Sequence, residues 1–217
     1  MSDTNEKIKG NRTDYGKHSL SEGDVGADPI TQFNAWLHEA MDAGELEANA
    51  FTLCTTAANG VPSARIVLLR DVDVEGFYFY TNYNSQKGRE IAASQGVCIN
   101  FFWPKLERQV RVVGDCAQVS AARSDAYFAA RPRGTQIGCW ASEQSNELDG
   151  REALETRLAH FTEKFEGQPV PRPEHWGGYV IQPREIEFWQ GRPSRLHDRL
   201  RYEKDAAGGW SLKRLAP

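Results

Sequence analysis

The sequence predicts an α+β protein, a barrel of mostly antiparallel strands with helices inserted among them. Several short segments are rich in β-branched or aromatic residues and are bounded by turn formers, among them FTLCTTA, GFYFYTN, GVCINFFW and QVRVVGDCAQVS. Other segments repeat apolar residues at helical spacing, as Ile30, Phe33 and Leu37 do. Strands in series with helices between them are typical of an α+β barrel.

The chain is expected to begin with a flexible arm, residues 1–27, and to continue as one domain, residues 28–217. The arm is polar and charged, so it has little apolar surface to bury on ordering. The first helix is expected at Asp28-Pro29, because aspartate caps a helix N-terminus and proline suits the first helical position. Asn59-Gly60 then predicts a hairpin between FTLCTTA and VPSARIVLLR.

Three further helices are expected. One starts at Ser85, one starts near Ser120 and ends before Pro132, and one starts near Asp149 with Glu152 as its capping-box partner. The chain then returns to strands in WGGYVIQP, EIEFWQ and a terminal hairpin.

Composition excludes several functional classes. The 217 residues are 40% hydrophobic and 26% charged, and the net charge of −4 gives no basic field that would steer the chain to nucleic acid. No apolar run reaches the roughly 18 residues of a membrane span, and the polar N-terminus lacks a secretory signal, so we expect no membrane partner and a cytoplasmic location. The cysteines form no C-x-x-C pair, which predicts reduced thiols and no metal site; they are Cys54, Cys98, Cys116 and Cys139.

Arg65 and Arg70 flank the apolar part of one predicted strand. Side chains alternate between the two faces of a strand, so an odd spacing places these arginines on opposite faces. They would then serve two different anions; the alternative is that both are solvated strand charges.

The segment from Tyr80-Thr81 to Lys87 joins a strand end to a helix start. Free N–H groups and the helix dipole make such a start suitable for phosphate. Lys87 in the first turn is disfavoured by the same dipole, so either a bound phosphate explains it or its side chain points to water. Gln109, at the start of a later strand, offers donors and an acceptor but is a weak signal alone.

Tyr127 and Arg131 are four residues apart on a predicted helix, and Thr135 follows after a turn. Two hydroxyls and a guanidinium brought together would bind a phosphate; the alternative is a helix that simply ends at proline.

A second cationic cluster follows Trp189. Arg195, His197 and Arg199 occupy alternate positions, so on a strand they share one face, which needs an anion. We interpret this cluster as functional, with a purely structural role as the alternative.

Two separable sets of cations with aromatic residues fit two phosphorylated, flat-ring ligands. The motifs RIVLLR, FYTNYNSQK, LERQV, YFAARPRGTQIG, WASEQS, IEFWQG, RLHDR and RLAP extend from about Asp28 to Pro217. With these motifs the chain resembles the pyridoxamine 5'-phosphate oxidase family. The resemblance implies a split β-barrel FMN-binding fold and a homodimer with FMN at the subunit interface.

The resemblance also implies a role for each candidate residue. FMN would be bound by Arg65, Tyr80, Thr81, Lys87, Gln109, Gln144, Ser145, Trp189 and Arg199, some of them from the partner subunit. The substrate phosphate would be bound by Arg70, Tyr127, Arg131 and Thr135. Arg195 and His197, the expected catalytic residues, would lie at the substrate ring and the reacting carbon, and Arg12 and Tyr15 of the arm would close over the substrate.

Three positions depart from the family pattern. Arg70 stands where lysine is common, Gln86 where arginine is frequent, and Thr135 where serine is usual. Arg70 keeps the charge and Thr135 keeps the hydroxyl. Gln86 removes one positive charge near the expected FMN phosphate, which bears on the affinity for FMN.

The implied activity is oxidation of pyridoxamine 5'-phosphate and pyridoxine 5'-phosphate by O2 to pyridoxal 5'-phosphate, with FMN as cofactor. H2O2 would be a product, together with NH3 from the amine, and the step belongs to vitamin B6 biosynthesis and salvage. Two alternatives stay open: a related flavin oxidase acting on another ring, such as a phenazine precursor, and a non-catalytic flavin- or pyridoxal-phosphate-binding protein.

Overall fold

The computed structural model of the chain describes residues 2–10 and 14–217. Its helices are α1 (Ser2–Gly10), α2 (Pro29–Asp42), α3 (Gln86–Ala93), α4 (Ala121–Ala129), α5 (Arg133–Ala141) and α6 (Arg151–Lys164). Its strands are β1 (Ala50–Thr56), β2 (Pro62–Leu68), β3 (Asp71–Asp73), β4 (Gly76–Asn82), β5 (Gly96–Trp103), β6 (Arg108–Gln118), β7 (Trp176–Gln190), β8 (Asp198–Lys204) and β9 (Trp210–Arg214). None of the helices in the described ranges is long and apolar enough to cross a membrane.

The strands form one sheet in the order β2-β1-β5-β6-β7-β4-β3, and β8 pairs with β7 and β9 with β8. The pairs β1–β2, β3–β4, β4–β7, β7–β8 and β8–β9 are antiparallel, as the sequence predicts. Two expected C-terminal strands are in fact one, since β7 continues through Pro183.

The chain divides into two compact units. The first contains Met1–Ala48, Asn100–Val112 and Glu185–Pro217, and the second contains Asn49–Ile99 and Val113–Arg184. Strands β5, β6 and β7 contribute residues to both.

The first unit has an aromatic core built around α2. Asp28 caps this helix, because its carboxylate accepts from the N–H groups of Ile30 (3.2 Å) and Thr31 (3.0 Å). The buried face of the helix then packs its rings on β5 and β7: Phe33 lies 4.9 Å from Phe101, and Trp36 contacts another ring, that of Phe188, at 5.2 Å.

The second unit has two groups of buried rings. Phe79 of β4 stacks on Tyr179 of β7 at 5.4 Å, and the rings of Phe51 of β1 and Phe79 make an edge contact. A separate apolar cluster lies under α4, α5 and α6; it consists of Phe128, Ile137, Cys139, Phe165, Val170 and Trp176.

The helix starts test the capping predictions. Helices α2, α3 and α4 begin after Asp28, Ser85 and Ser120, as expected. The expected capping box of α6 is wrong, because the N-cap residue is Gly150 and no side chain caps the helix there. Helix α5 was not predicted, and Pro132 precedes its start. Helix α4 ends at Ala129, so Arg131 lies between the two helices and not on one helix with Tyr127, as was expected.

The expected arm contains α1 and a segment, residues 14–27, that packs within the first unit. Leu20 is buried, and the N–H groups of Gly16 and Lys17 donate to Glu107 Oε2 at 2.8 and 3.1 Å. Mobility of the arm stays a prediction. Arg12 lies outside the described residues.

Candidate functional site

A cavity of about 550 Å³ lies in the second unit, between β2, β4, the start of α3 and the end of α4. Its basic lining residues are Arg65, Arg70, Lys87 and Arg131, and no carboxylate of the described residues lines it. The other predicted site residues that line it are Tyr80, Thr81, Tyr127, Gln144 and Ser145. A cavity with this charge is suited to anionic ligands.

Lys87 is buried in this cavity, with 9% of its surface exposed. Its ammonium lies 3.1 Å from Gln144 Oε1, 3.3 Å from Thr81 Oγ1 and 3.4 Å from Ser85 Oγ, and all three oxygens are neutral. Burial, with the neighbouring charge of Arg65, lowers the pKa of Lys87 to about 8. A buried cation at a helix N-terminus without a carboxylate partner is suited to a bound phosphate.

Arg65 is held by protein acceptors on both of its terminal nitrogens. Nη2 donates to Ser63 Oγ at 2.7 Å and to Glu90 Oε2 at 3.1 Å, and Nη1 donates to Thr55 Oγ1 and to a β1 carbonyl. Burial alone would raise the pKa of Glu90, but hydrogen bonds from Ser63, Thr55, Gln86 and Arg65 lower that pKa to about 2. Glu90 is therefore a buried, ionised carboxylate that fixes the Arg65 side chain.

The alternation expected of Arg65 and Arg70 requires a continuous strand, and the strand does not reach Arg70. Strand β2 ends at Leu68, and the Arg70 backbone N–H instead donates to the Tyr78 carbonyl of β4 at 2.9 Å. The alternation of side chains therefore does not apply to Arg70, and both arginines are among the residues that line the cavity.

Arg131 lines the cavity, and its side chain makes no hydrogen bond to the described residues. Its Nε is buried and has no partner among the described residues, and its guanidinium carbon lies 4.6 Å from the centre of the Trp176 ring. Tyr80 and Tyr127 also line the cavity, and their rings are stacked on each other with 3.7 Å between the ring centres. An unpaired buried N–H costs free energy, which a ligand acceptor would recover.

Two further details shape this cavity. A Cβ on Gly178 of β7 would lie only 2.7 Å from Tyr80 Cε1, so the tyrosine ring uses the space that a side chain would fill. Ser145 has a φ of 75°, a conformation uncommon for a residue other than glycine, next to Gln144 at the lining.

Thr135 lies in a second cavity, of about 330 Å³, which shares Tyr80, Thr81, Arg131 and Gln144 with the first. Its hydroxyl donates to the Pro132 carbonyl at 2.7 Å in the first turn of α5.

The first unit contains a group of three rings. Trp189 lies 4.6 Å from His197, and Tyr15 contacts both, at 5.7 and 5.8 Å. The backbone N–H of Arg192 donates to His197 Nδ1 at 3.0 Å, so the neutral ring carries its proton on Nε2. Burial, followed by the charge of Arg195, lowers the pKa of His197, which favours this neutral form.

Two family models match the chain. One described as "Pyridoxamine 5'-phosphate oxidase" matches residues 37–165, and one described as "Pyridoxine 5'-phosphate oxidase C-terminal dimerisation region" matches residues 176–217. The pyridoxine/pyridoxamine 5'-phosphate oxidase of Cupriavidus metallidurans is 53% identical over 206 residues, which are 95% of this chain and 97% of that protein. The protein of the same name from Rubrobacter xylanophilus is 52% identical over 210 residues, 97% of this chain and 96% of that protein.

The chain belongs to the pyridoxine/pyridoxamine 5'-phosphate oxidase family.

Solved structures agree with this membership. PhzG from Burkholderia lata, in complex with tetrahydrophenazine-1-carboxylic acid, is 31% identical, covers 94% of this chain and 100% of its own, and has a TM-score of 0.87. A pyridoxamine 5'-phosphate oxidase-related, FMN-binding protein from Nostoc punctiforme is 17% identical, covers 89% of this chain and 100% of its own, and has a TM-score of 0.70, which shows the fold alone. The predicted fold class, an α+β split β-barrel, is confirmed as that of the oxidase family.

The prediction that Arg195, His197 and Arg199 of the RLHDR motif share one strand face is wrong. Pro193 begins a 3-10 turn, Ser194 and Arg195 have φ values of 56° and 61°, and β8 starts only at Asp198. Positive φ angles are incompatible with a regular strand, so Arg199 alone of the three predicted residues lies on a strand.

Arg199 is oriented by Glu187, which is not among the predicted site residues. Its Nε donates to Glu187 Oε1 at 2.7 Å and its Nη1 to the Ala216 carbonyl at 2.9 Å. Glu187 is 3% exposed and also accepts from Arg111. Burial alone would raise its pKa, but the hydrogen bonds from Arg199 and Arg111 lower it. An acidic residue inside the apolar run EIEFW was the available signal.

Gln109, also assigned to FMN, lies on β6 and is half-buried. Its role stays a prediction, as does that of Arg12. No group of His, Cys, Asp or Glu side chains in the described ranges could hold a metal ion.

Proposed function

We propose that this chain oxidises pyridoxamine 5'-phosphate and pyridoxine 5'-phosphate to pyridoxal 5'-phosphate, with FMN as cofactor and O2 as the electron acceptor. One observation carries the proposal: a single cavity contains three cationic groups, Arg70, Lys87 and Arg131, none with a carboxylate within hydrogen-bond distance among the described residues. Several unpaired cations in one cavity favour anionic ligands, and a cofactor phosphate and a substrate phosphate meet that requirement.

The donor set fits FMN at the Lys87 end. Arg65, Lys87 and the free N–H groups at the start of α3 supply charge and hydrogen bonds for a phosphate. Tyr80, Thr81, Gln144 and Ser145 supply hydroxyl and amide groups for the rest of the molecule. Bound FMN would supply the two-electron acceptor. We assign Gln109, Trp189 and Arg199 to the same cofactor on the resemblance.

The donor set around Arg131 fits the substrate phosphate. Arg70 and Arg131 line the cavity beside Tyr127, and Thr135 lines the adjoining space. Arginine forks bind phosphate through two N–H groups, which places the ring of the substrate as well as its charge.

Arg195 and His197 would act at the reacting carbon of the substrate, with Tyr15 covering it. Because His197 Nδ1 already accepts from a backbone N–H, the neutral imidazole offers an N–H at Nε2. His197 would therefore orient the substrate's oxygen or nitrogen by donating a hydrogen bond, and would not act as a base through Nε2 while that proton remains.

A phenazine-type oxidation is the second candidate, because a 31% identical relative was solved with tetrahydrophenazine-1-carboxylic acid. Arg131 with Tyr127 favours the phosphorylated vitamers, since a substrate without phosphate would leave the Arg131 Nε unpaired.

The test is oxygen consumption by the protein after reconstitution with FMN. Pyridoxamine 5'-phosphate and pyridoxine 5'-phosphate should be oxidised, whereas pyridoxamine and a reduced phenazine carboxylate should be poor substrates. A flavin absorption band near 450 nm in the purified protein, a general property of flavins, would support the cofactor. Turnover of the phenazine but not of the vitamers would refute the proposed substrate, and flavin binding without turnover of any of them would indicate a binding protein.

We further propose a homodimer in which flavin occupancy depends on assembly, because the C-terminal family match is a dimerisation region. Light scattering with and without FMN measures this. A monomer that retains FMN tightly would exclude a shared site.

A further inference from the structure

Three aromatic rings in the second unit are stacked almost parallel. Tyr80 and Tyr127 lie 3.7 Å apart with 10° between their planes, and Trp176 lies 5.8 Å from Tyr80 at 17° and 6.2 Å from Tyr127 at 10°. The guanidinium of Arg131 lies over the Trp176 ring. The stack therefore places a cation on an aromatic face next to the candidate phosphate site.

Trp176 is fixed by the protein core. It is 5% exposed, and the ring of Phe128 meets it at 5.3 Å and 67°, within the apolar cluster under α4 and α5. A ring packed in this way has few alternative rotamers. It is a rigid surface for whatever lies on it.

Arg131 and Arg65 are held in different ways. Arg65 donates from its terminal nitrogens to protein oxygens, including Glu90. The guanidinium of Arg131 makes no hydrogen bond to the described residues, and its Nε is buried. In the contact with Trp176 the guanidinium carbon lies 4.6 Å from the ring centre, and a ring offers no oxygen acceptor, so the guanidinium N–H groups remain available to a ligand.

We propose that Trp176 is a positioning residue for substrate binding: its ring holds the Arg131 guanidinium in place so that the N–H groups meet the substrate phosphate. The proposal rests on the proposed function, since it assumes a phosphorylated substrate. Trp176 would act only through Arg131 and only on the phosphate.

Substitutions of Trp176 should rank by the strength of the ring–cation attraction. That attraction is largest for tryptophan, smaller for phenylalanine and absent for leucine. Trp176→Leu should weaken binding of a phosphorylated ligand by about 2- to 30-fold. Trp176→Phe should fall between Trp176→Leu and the wild type.

The experiment measures binding by equilibrium dialysis to the FMN-loaded protein. The probes are 4-deoxypyridoxine 5'-phosphate, which lacks the group to be oxidised, and 4-deoxypyridoxine, which also lacks the phosphate. The ratio of the two dissociation constants isolates the phosphate contribution. Phe165→Leu is the matched control, because Phe165 belongs to the same buried cluster but has no ring contact with Trp176.

Trp176→Leu should reduce the phosphate contribution, Phe165→Leu should not, and Trp176→Leu should have no further effect in an Arg131→Ala background. The proposal would be overturned if Trp176→Leu weakened the binding of both probes equally, or if it reduced the phosphate contribution by the same factor in the Arg131→Ala background. If Trp176→Leu does not fold, Trp176→Phe decides alone, and an unchanged phosphate contribution overturns it. A wild-type protein that binds both probes equally would instead refute the proposed function.

Discussion

FMN binding should become weaker as Lys87 loses its proton. The pKa of Lys87 lies near 8 in the ligand-free protein, below its ordinary value of 10.5, because the ammonium is buried with neutral oxygens and near Arg65. A bound phosphate would stabilise the ammonium and raise that pKa again, so binding should be coupled to proton uptake.

The size of the effect follows from the titration. At pH 7 about nine-tenths of the Lys87 side chains are charged, and at pH 9 about one-tenth are, given a pKa of about 8. The apparent affinity for FMN should therefore fall about tenfold between pH 7 and pH 9, if the bound lysine stays protonated. A phosphate with its second pKa near 6 keeps the same charge over this range.

The assay is quenching of flavin fluorescence on titration of apoprotein into FMN at pH 7, 8 and 9. Lys87→Met should bind more weakly at pH 7 and should lose the pH dependence, whereas Lys164→Met, at an exposed position of the same unit, should retain it. Riboflavin, which has no phosphate, should bind with little pH dependence. An affinity of the wild type for FMN that is constant from pH 7 to pH 9 would refute the assignment of Lys87 to the phosphate.

Three further predictions concern other charged groups. Arg131→Ala should weaken binding of the phosphorylated substrate by about 10- to 100-fold, from a charge-assisted contact of about 1.5–3 kcal/mol, and should leave FMN content normal; loss of flavin with normal substrate binding would reverse the two phosphate assignments. Arg199→Ala should lower flavin occupancy, whereas His197→Ala should keep FMN and lower kcat/KM. Anaerobic flavin reduction by pyridoxamine 5'-phosphate would separate these two effects, and an equal loss of flavin in both variants would indicate structural roles. Because the pKa of Glu90 is lowered from 4.5 to about 2, its carboxylate stabilises the fold at pH values above 4.5, and this contribution is lost as the pH falls from 4.5 towards 2. The melting temperature should therefore fall less steeply with acid in Glu90→Gln than in Glu174→Gln, and parallel profiles of the two variants would contradict this.

Local sequence signals predicted most of the elements and the cavity residues. Asp28, Ser85 and Ser120 cap helices through short-range hydrogen bonds that are visible in sequence. In the sequence Lys87 stands out because a cation at a helix start conflicts with the helix dipole. In the structure its side chain is buried and does not point to water.

Predictions that assumed regular strands failed where the strand stops. Arg70 lies beyond the end of β2, and Arg195 lies in a turn, so alternation does not apply to either. Where a strand ends depends on its pairing partners, which lie elsewhere in the chain. The spacing of the residues contains no information about them.

The residues that were missed act through tertiary contacts. Glu90 and Glu187 are buried carboxylates that orient arginines distant in sequence, and Trp176 lies beneath Arg131, which is also distant in sequence. Glutamate in a helix is most often solvated, so position alone did not distinguish Glu90. Only the packed structure identifies the donors that surround it.

Gly178 gives the cavity part of its dimensions although it has no side chain to offer a ligand. It is paired across the strands with Tyr80, whose ring covers its backbone. A methyl group at this position would push the ring away from the sheet, and the ring would then compete with a ligand for room. Residue 178 is therefore constrained by the side chains of Tyr80 and Val119, and a loss of activity after substitution there would come from lost volume and not from a lost functional group.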